Sequence, residues 1–543
     1  MVDTLNADRS ARPTQTVNRL EAAGWLIVAV GALLQIGHFV GGRAFWLDEA
    51  MIALNIRHLS PTELMGRLEY DQVAPIGWLQ LEKLASYLPF RSEYALRLPS
   101  LVAGLGGLVL FRALARRVLG PWAALAALAL FALSRPLLRY AAEVKPYEVD
   151  LFFAVALLLL GVILLARAGR SWGWLVALAL TGLVAVTLSL ASVFVLAGVG
   201  GVLFAHRVIA RRGVEALALG VVGALWLAAF GVLMIGFYAP QTADTVVTTG
   251  GAHDFFVRKV YAPFPPTSIG DLKWYATWPR ETLQFLFGRD SRFAVGLAIF
   301  AGVCLLARRS PWIAAMGWSG LAAGFLASAL QLYPLYDRLT LFMLPTLVLT
   351  AGAGLDWLVE RSRPHRGPLL LLLALMLASS LTEIAKGFAL NPPYSIGDLR
   401  PALAEVASER GPADRLYVPN GAIPAFLAYR QAAGLADMDW TAAPIDSQDW
   451  RCVAPMLPAA MPGGSVWMLT YMLYEPGAPF ADAGTIGGGT PPRGLQGDGT
   501  AVYKLAPRVP GLGAQAYPVK ICGAPRQDPP SFYPSPRLIA RTR

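Results

Sequence analysis

The sequence predicts an α-helical polytopic membrane protein with about eleven transmembrane helices and a C-terminal extracytoplasmic α/β domain. Three observations predict it. Over 543 residues the chain is 55% hydrophobic and only 15% charged, too apolar for a soluble globule of that length. The apolar residues gather in long runs separated by short arginine-rich patches. Past residue 390 the pattern changes to short alternating segments and Gly/Pro-rich loops.

The runs begin near Gly24, Tyr94, Trp122, Val149, Trp174, Ser192, Val214, Phe293, Trp312, Leu339 and Pro368. The first comes after a polar, Arg-containing start and shows no small-residue cleavage site, so it reads as a retained helix. With the N-terminus in the cytoplasm, Arg112, Arg116 and Arg117 fall in a cytoplasmic loop. So do Arg167 and Arg170, then Arg207, Arg211 and Arg212, then Arg308 and Arg309, and finally Arg361, Arg363 and Arg366. That is the bias that fixes orientation. The odd number of spans leaves the C-terminal region outside, in the periplasm of a bacterial inner membrane. The net charge of +11 is thereby placed between spans, which argues for membrane lipids and against nucleic acid as partner.

The chain divides into two domains. Residues 1–390 form a transmembrane domain whose external loop, 41–91, carries juxtamembrane helices. Residues 391–543 form an extracytoplasmic α/β domain. In the loop one helix begins after Asp48, and a second starts at "SPTE", where Ser60 caps, Pro61 suits the first helical position and Glu63 closes a capping box. The stretch from Tyr238 to about Arg292 is a second external loop, rich in Pro and aromatics. In the outer domain "GDLRPALAEVASER" reads as an amphipathic helix, and "DRLYVP", "SVWMLTYML" and "TAVYKLAP" as strands. Of three cysteines, Cys304 lies in an apolar run and reads as inert packing, while a Cys452–Cys522 disulfide stays open.

Some ionisable residues do not fit a bland reading. "SRPLLRYAAEVKPYEVD" places Arg135, Arg139 and Lys145 on the external side, against the orientation bias, beside Glu143, Tyr147, Glu148 and Asp150. "LYPLYDRLTLFMLP" places Asp337 and Arg338 at the outer mouth of another span. Such groups near hydrocarbon are costly and mark function. Arg and Lys are suited to an anionic lipid phosphate. A carboxylate nearby deprotonates an acceptor hydroxyl. A departing phosphate needs electrostatic stabilisation and no proton, so one base and a few cations suffice. Five scattered histidines give no paired ligand spacing. No cofactor is called for; a divalent metal ion held by Asp and Glu stays open. No phosphate-cradling glycine loop or nucleotide fingerprint is present in the sequence.

The ordered segments "FWLDEAMIALNI", "DQVAPIGWLQLEKLASYLPFRSEYALRLPSLVAGL", "ARRVLG", "SRPLLRYAAEVKPYEVDLFF" and "YPLYDRLTLFMLP" together resemble the GT-C membrane glycosyltransferases. The group in question contains the protein O-mannosyltransferases and the lipid A aminoarabinose transferase. The resemblance covers Gly24 to Lys386 and is densest from Phe45 to Phe153. It implies transfer of a sugar from a polyprenyl-phosphate donor to an envelope acceptor (glycan, lipid or protein) on the outer face, with inversion. It implies that Asp48, in the first external loop, is the catalytic base. Glu49, Glu143 and Asp71 are supporting acids, and Lys145, Arg139, Arg338 and Tyr147 are candidates for the donor phosphate site. "VAPIGW" departs from relatives that carry two prolines there, which weakens any donor role for that loop.

Plainer readings stand beside these. Asp48 also suits an N-cap. Arg139 also suits snorkelling to headgroups, and Arg338 a structural pair with Asp337. Asp71 also suits a turn, and Arg97 an interfacial anchor. A transporter or flippase of lipid-linked saccharides would place charge near mid-membrane in repeated halves; the acids here cluster at the outer edge and no halves are seen. A non-catalytic envelope scaffold would tolerate loss of the Asp48 carboxylate.

Overall fold

The structure, a computed structural model, describes residues 15–167, 172–242, 260–361, 367–389, 397–442, 464–470, 501–505 and 535–542. Two compact units divide the chain. The first comprises Met1–Val40, Ala74–Leu81 and Arg97–Leu390, and the second Gly41–Val73, Glu82–Leu96 and Asn391–Arg543.

All eleven apolar runs are helical, because hydrocarbon offers no partner to an unpaired peptide group. Pro121 and Pro311 open their helices at the first helical position, where a missing N–H costs nothing. Arg116 and Arg117, and Arg308 and Arg309, close theirs, against the negative end of the helix dipole. Several such arginines are paired. Glu21 takes Arg112 and Arg116, Glu215 takes Arg207 at 2.9 Å, and Glu360 takes Arg309 at 2.5 Å.

Among the described residues, seven helices are long and apolar enough to cross a membrane, or eight with one bent pair, where the sequence predicts about eleven. Pro121–Ala132, with 12 residues, falls well short of the roughly 30 Å of a hydrocarbon core, and Trp172–Leu188, with 17, is one residue shorter than Ser192–Ile209, the shortest of the seven at 18. The chain is a multi-pass membrane protein.

The bent pair is the main departure from the predicted loop between Tyr238 and Arg292. Ile269–Phe287 is an amphipathic helix, succeeded by Arg292–Arg309 at 110°. Ser268 and Asp271 cap it reciprocally: the Ser268 hydroxyl accepts from the Asp271 N–H at 3.1 Å, and Asp271 Oδ2 accepts from the Ser268 N–H at 2.9 Å. Two other expectations change. Cys304 is a free thiol exposed on the outside of its helix, where lipid is as apolar as a core. Arg97 is 1% exposed, a buried group and not an interfacial anchor.

Close packing in this unit depends on small residues. Helices Arg292–Arg309 and Leu344–Arg361 meet at Gly302 and Gly354. A Cβ on Gly302 would lie 1.8 Å from the Thr350 carbonyl oxygen, and one on Gly354 would lie 2.2 Å from that of Ala298. Backbone cannot yield as a flexible side chain can.

The second unit holds a four-stranded sheet: β1 (Arg415–Val418), β2 (Trp440–Ala442), β3 (Val466–Thr470) and β4 (Ala501–Leu505), in the order β2-β1-β3-β4. β1 is parallel to both neighbours, with Leu416 opposite Trp440 and Trp467, and β4 is antiparallel to β3. The central position of β1 explains its buried Leu-Tyr-Val run. Helix Ile423–Tyr429 makes the crossover from β1 to β2, and helix Arg400–Glu409 precedes the sheet. Helix Leu47–His58 also belongs to this unit. At "SPTE" the capping box forms, Ser60 N donating to Glu63 Oε2 at 2.8 Å, but it opens a single 3₁₀ turn, Glu63–Met65, and not a helix. Glu63 is also held by Arg537 and Arg541 from the C-terminal helix Pro536–Arg541. Cys452 and Cys522 lie outside the described residues.

Gly302→Val is expected to destabilise the purified protein by about 1–3 kcal/mol or more through overpacking. Gly223→Val, at a position with nothing within 4 Å of a new Cβ, is expected to leave it unchanged. Thermal midpoints of the two variants in detergent test the pair.

Candidate functional site

The first unit contains a cavity of ≈ 750 Å³. Its walls come from short segments at helix ends: Arg135–Tyr140, the end of Ile269–Phe287 and its turn, Tyr336–Leu339, and helix Gly367–Ala389. Five basic side chains line it, Arg135, Arg139, Arg289, Arg338 and Lys386, against four acids, Glu281, Asp290, Asp337 and Glu383. Glu383 lies 3.9 Å from Arg135 and 3.8 Å from Lys386, one negative charge shared between two of the cations.

The remaining charge is organised from beneath the cavity wall. Arg139 and Glu143 are four residues apart, and Arg139 Nε donates to Glu143 Oε2 at 3.2 Å. The Glu143 side chain has no exposure, while Arg139 keeps 34% of its own. Arg139 also lies 5.6 Å from the Tyr140 ring centre, and Arg338 lies 5.6 Å from that of Tyr147. The two rings meet edge to face, with centroids 5.4 Å apart at 80°. Two guanidinium groups thus stand on one tyrosine pair, which favours each by cation–π attraction. Burial, then the nearby Glu143, push the Tyr140 phenol well above its ordinary value. It therefore stays protonated and able to donate.

The cavity wall is locked by a tight turn. Gly288 has φ +86°, and a Cβ there would fall 2.3 Å from the Cβ of Ser379. The Ser379 hydroxyl accepts from the N–H groups of Asp290 at 3.0 Å and Ser291 at 3.1 Å, and Ser291 Oγ accepts from Ser379 N–H at 3.0 Å. Asp337 sits at φ +40°, a conformation Asp tolerates better than most residues, at the head of the 3₁₀ segment carrying Arg338.

The structure therefore brings together Arg139, Arg338, Tyr147 and Glu143 among the residues singled out from sequence. Lys145 is buried, 7% exposed, and its carbonyl accepts from the Ser100 hydroxyl at 3.2 Å; it does not line the cavity. Sequence reasoning misses Tyr140; one helix ends at it and the next begins at Tyr147, with turn and bend between, so no periodicity in the sequence links the two rings.

Asp48, Glu49 and Asp71 belong to the second unit. Helix Leu47–His58 has Trp46 at its N-cap, so Asp48 is the second helical residue and not the cap. Glu49 takes the capping role: it is 1% exposed and its Oε2 accepts from the Trp46 N–H at 3.4 Å. Asp48 is half-buried, in the first turn where a carboxylate is favoured by the helix dipole. Asp71 has φ +49° and pairs with Arg67 at 2.9 Å on the surface. A buried Asn55 braces the loop, donating to the Met51 and Glu69 carbonyls at 2.8 and 3.2 Å and accepting from Glu69 N–H at 2.8 Å. No group of three or more His, Cys, Asp or Glu converges for a metal among the described residues.

No protein-family model and no curated protein matches the sequence. Among solved structures, ArnT from Cupriavidus metallidurans bound to undecaprenyl phosphate is similar at 17% identity and a TM-score of 0.46, over 89% of this chain and 98% of that one. The Archaeoglobus fulgidus oligosaccharyltransferase in complex with Zn and sulfate is similar at 13% identity and a TM-score of 0.43, over 76% and 62%. AglB from Archaeoglobus fulgidus, in complex with an inhibitory peptide and a dolichol-phosphate, is similar at 13% and 0.45, over 76% and 63%. This chain spans under two thirds of the length of those archaeal proteins. TM-scores below 0.5 assign no residue of this chain a role.

His58, at the end of the Asp48 helix, is pushed down to about 4 by burial and then by Arg57 and Lys83. A base held below its ordinary value of 6.5 costs the fold more as pH falls, because the unfolded chain takes up the proton first. Thermal stability is expected to drop between pH 6.5 and 4, and His58→Gln is expected to flatten that drop. Melting curves across this range check both.

Proposed function

We propose that this chain is a GT-C-type glycosyltransferase that moves a sugar from a polyprenyl phosphate to a hydroxyl of an envelope acceptor. The acceptor is a glycan, a lipid or a protein. The reaction is placed on the outer face of a bacterial inner membrane, with the N-terminus in the cytoplasm. The observation that carries the reading is the pair of guanidinium groups, Arg139 and Arg338, that line the cavity beside Tyr140, with the buried Tyr147 ring behind Arg338 and outside the lining. The ordered motifs of the sequence support it.

The donor's phosphodiester, and the phosphate monoester left when the sugar departs, meet in such a cavity two positive charges and a phenol that remains a donor. Arg139, Arg338 and Tyr140 are the proposed partners. Asp48 is the proposed general base. Its carboxylate takes the proton of the acceptor O–H while that oxygen bonds to the anomeric carbon. The bond from that carbon to the phosphate oxygen breaks, and its electron pair leaves with the polyprenyl phosphate. The leaving group departs as a stable anion, so stabilising charge replaces a general acid. One displacement inverts the anomeric centre.

Deleting the gene and analysing envelope lipids and glycans by mass spectrometry is expected to show lipid-linked sugar accumulating beside an unsugared acceptor. Asp48→Asn is expected to reproduce that state with the protein folded. Arg139→Ala or Arg338→Ala is expected to weaken undecaprenyl phosphate binding by about tenfold or more, the loss of one charge-assisted contact. Unchanged envelope composition on deletion, or full transfer by Asp48→Asn, contradicts the reading.

A further inference from the structure

The helix that carries Asp48 is held at both ends by one short helix of the outer domain, Ile423–Tyr429. At the start, the Phe45 backbone N–H donates to the Tyr429 hydroxyl at 2.8 Å. The two rings stack, with centroids 6.0 Å apart at 26°, and both residues are buried, 0% and 6% exposed. Phe45 immediately precedes Trp46, the N-cap, and Asp48 is three residues on. At the other end, Arg57 Nη1 donates to the Ala428 carbonyl at 3.1 Å. Lys83 Nζ donates to the last carbonyls, those of Ile56 at 2.8 Å and Arg57 at 3.2 Å.

Tyr429 is itself held. The Arg400 guanidinium lies 6.0 Å from its ring centre. Arg400 Nη1 donates to the Gly42 carbonyl at 2.9 Å and to Glu93 Oε1 at 3.2 Å, while Nη2 donates to Asp398 Oδ2 at 2.6 Å. Gly42 opens the loop that leads to Phe45. The same arginine therefore ties the loop entry, the strut at Glu93 and the tyrosine that pins the helix start.

We propose that Tyr429 is a positioning residue for the Asp48 carboxylate, acting through the Phe45 N–H and the first turn of the helix. The inference rests on the reading of Asp48 as general base. It gives the domain that contains Tyr429 a part in positioning the general base. A buried N–H demands a partner, so the hydroxyl fixes where the helix begins and hence where its second residue points. Orientation errors of about 1 Å at a reacting group cost up to about a hundredfold in rate.

Tyr429→Phe removes the hydroxyl and keeps the ring. Tyr417→Phe, in the buried β1 strand, removes a hydroxyl elsewhere in the same domain and serves as control. Each variant replaces the chromosomal copy, and acceptor glycosylation is followed by mass spectrometry after a pulse of ¹³C-labelled sugar. The purified variants in nanodiscs are assayed for undecaprenyl phosphate affinity and for amide hydrogen exchange across residues 45–50. Tyr429→Phe is expected to slow transfer by about tenfold to a hundredfold. Its affinity for undecaprenyl phosphate is expected to stay at the wild-type value, its Phe45 amide to exchange faster, and Tyr417→Phe to match wild type throughout. Wild-type transfer by Tyr429→Phe, with Asp48→Asn inactive, overturns the positioning role alone. Equal losses of rate and affinity in Tyr429→Phe overturn it too, as general damage. Full transfer by Asp48→Asn overturns instead the reading on which the inference rests.

Discussion

A carboxylate that stays ionised away from water is stabilised by a cation against it, and Glu143 has one. Its side chain has no exposure, and Arg139 answers it from one helical turn away. The pairing fixes one guanidinium at the cavity wall while leaving part of it exposed. The tyrosine pair sits between Arg139 and Arg338, and the Gly288–Ser379 lock closes a turn that a side chain on residue 288 would prevent. A neutral cluster could pack as well, but it would offer nothing to an anion.

The second unit solves a different problem. A short helix in a loop is marginal alone, since most helical stability comes from packing. Helix Leu47–His58 has 12 residues, of which eight are buried. Its first turn is capped by Glu49, and its ends are tied to Ile423–Tyr429 and to Lys83. Asp48 is left half-buried on an element whose start and finish are both set from outside it.

The spans were legible because bilayer hydrocarbon imposes length and composition on any segment that crosses it. The strands at 415–418 and 466–470 were legible from β-branched and aromatic runs ending in turn residues. Helix Ile269–Phe287 was not, because Pro279 and a dense set of aromatics obscure its period. Helix Ile423–Tyr429 was not, because seven apolar residues fit a strand equally well. Arg139, Arg338, Glu143 and Tyr147 drew attention as charge and polarity in the wrong place. Tyr140 drew none, since a lone tyrosine beside a span is ordinary and only the fold shows which guanidinium lies over it. Likewise, the residues that brace Asp48 lie more than 300 positions away in sequence, at Arg400 and Tyr429, and periodicity carries no record of such contacts.

The central claim is that the cavity around Arg139 and Arg338 receives the phosphate of a polyprenyl carrier. Photocrosslinking with a polyprenyl phosphate bearing a diazirine next to the phosphate tests it directly, the adducts being located by peptide mass spectrometry. Adducts within residues 135–147 and 336–343 that excess undecaprenyl phosphate removes are the predicted result. Adducts confined to other segments, or indifferent to undecaprenyl phosphate, would contradict it.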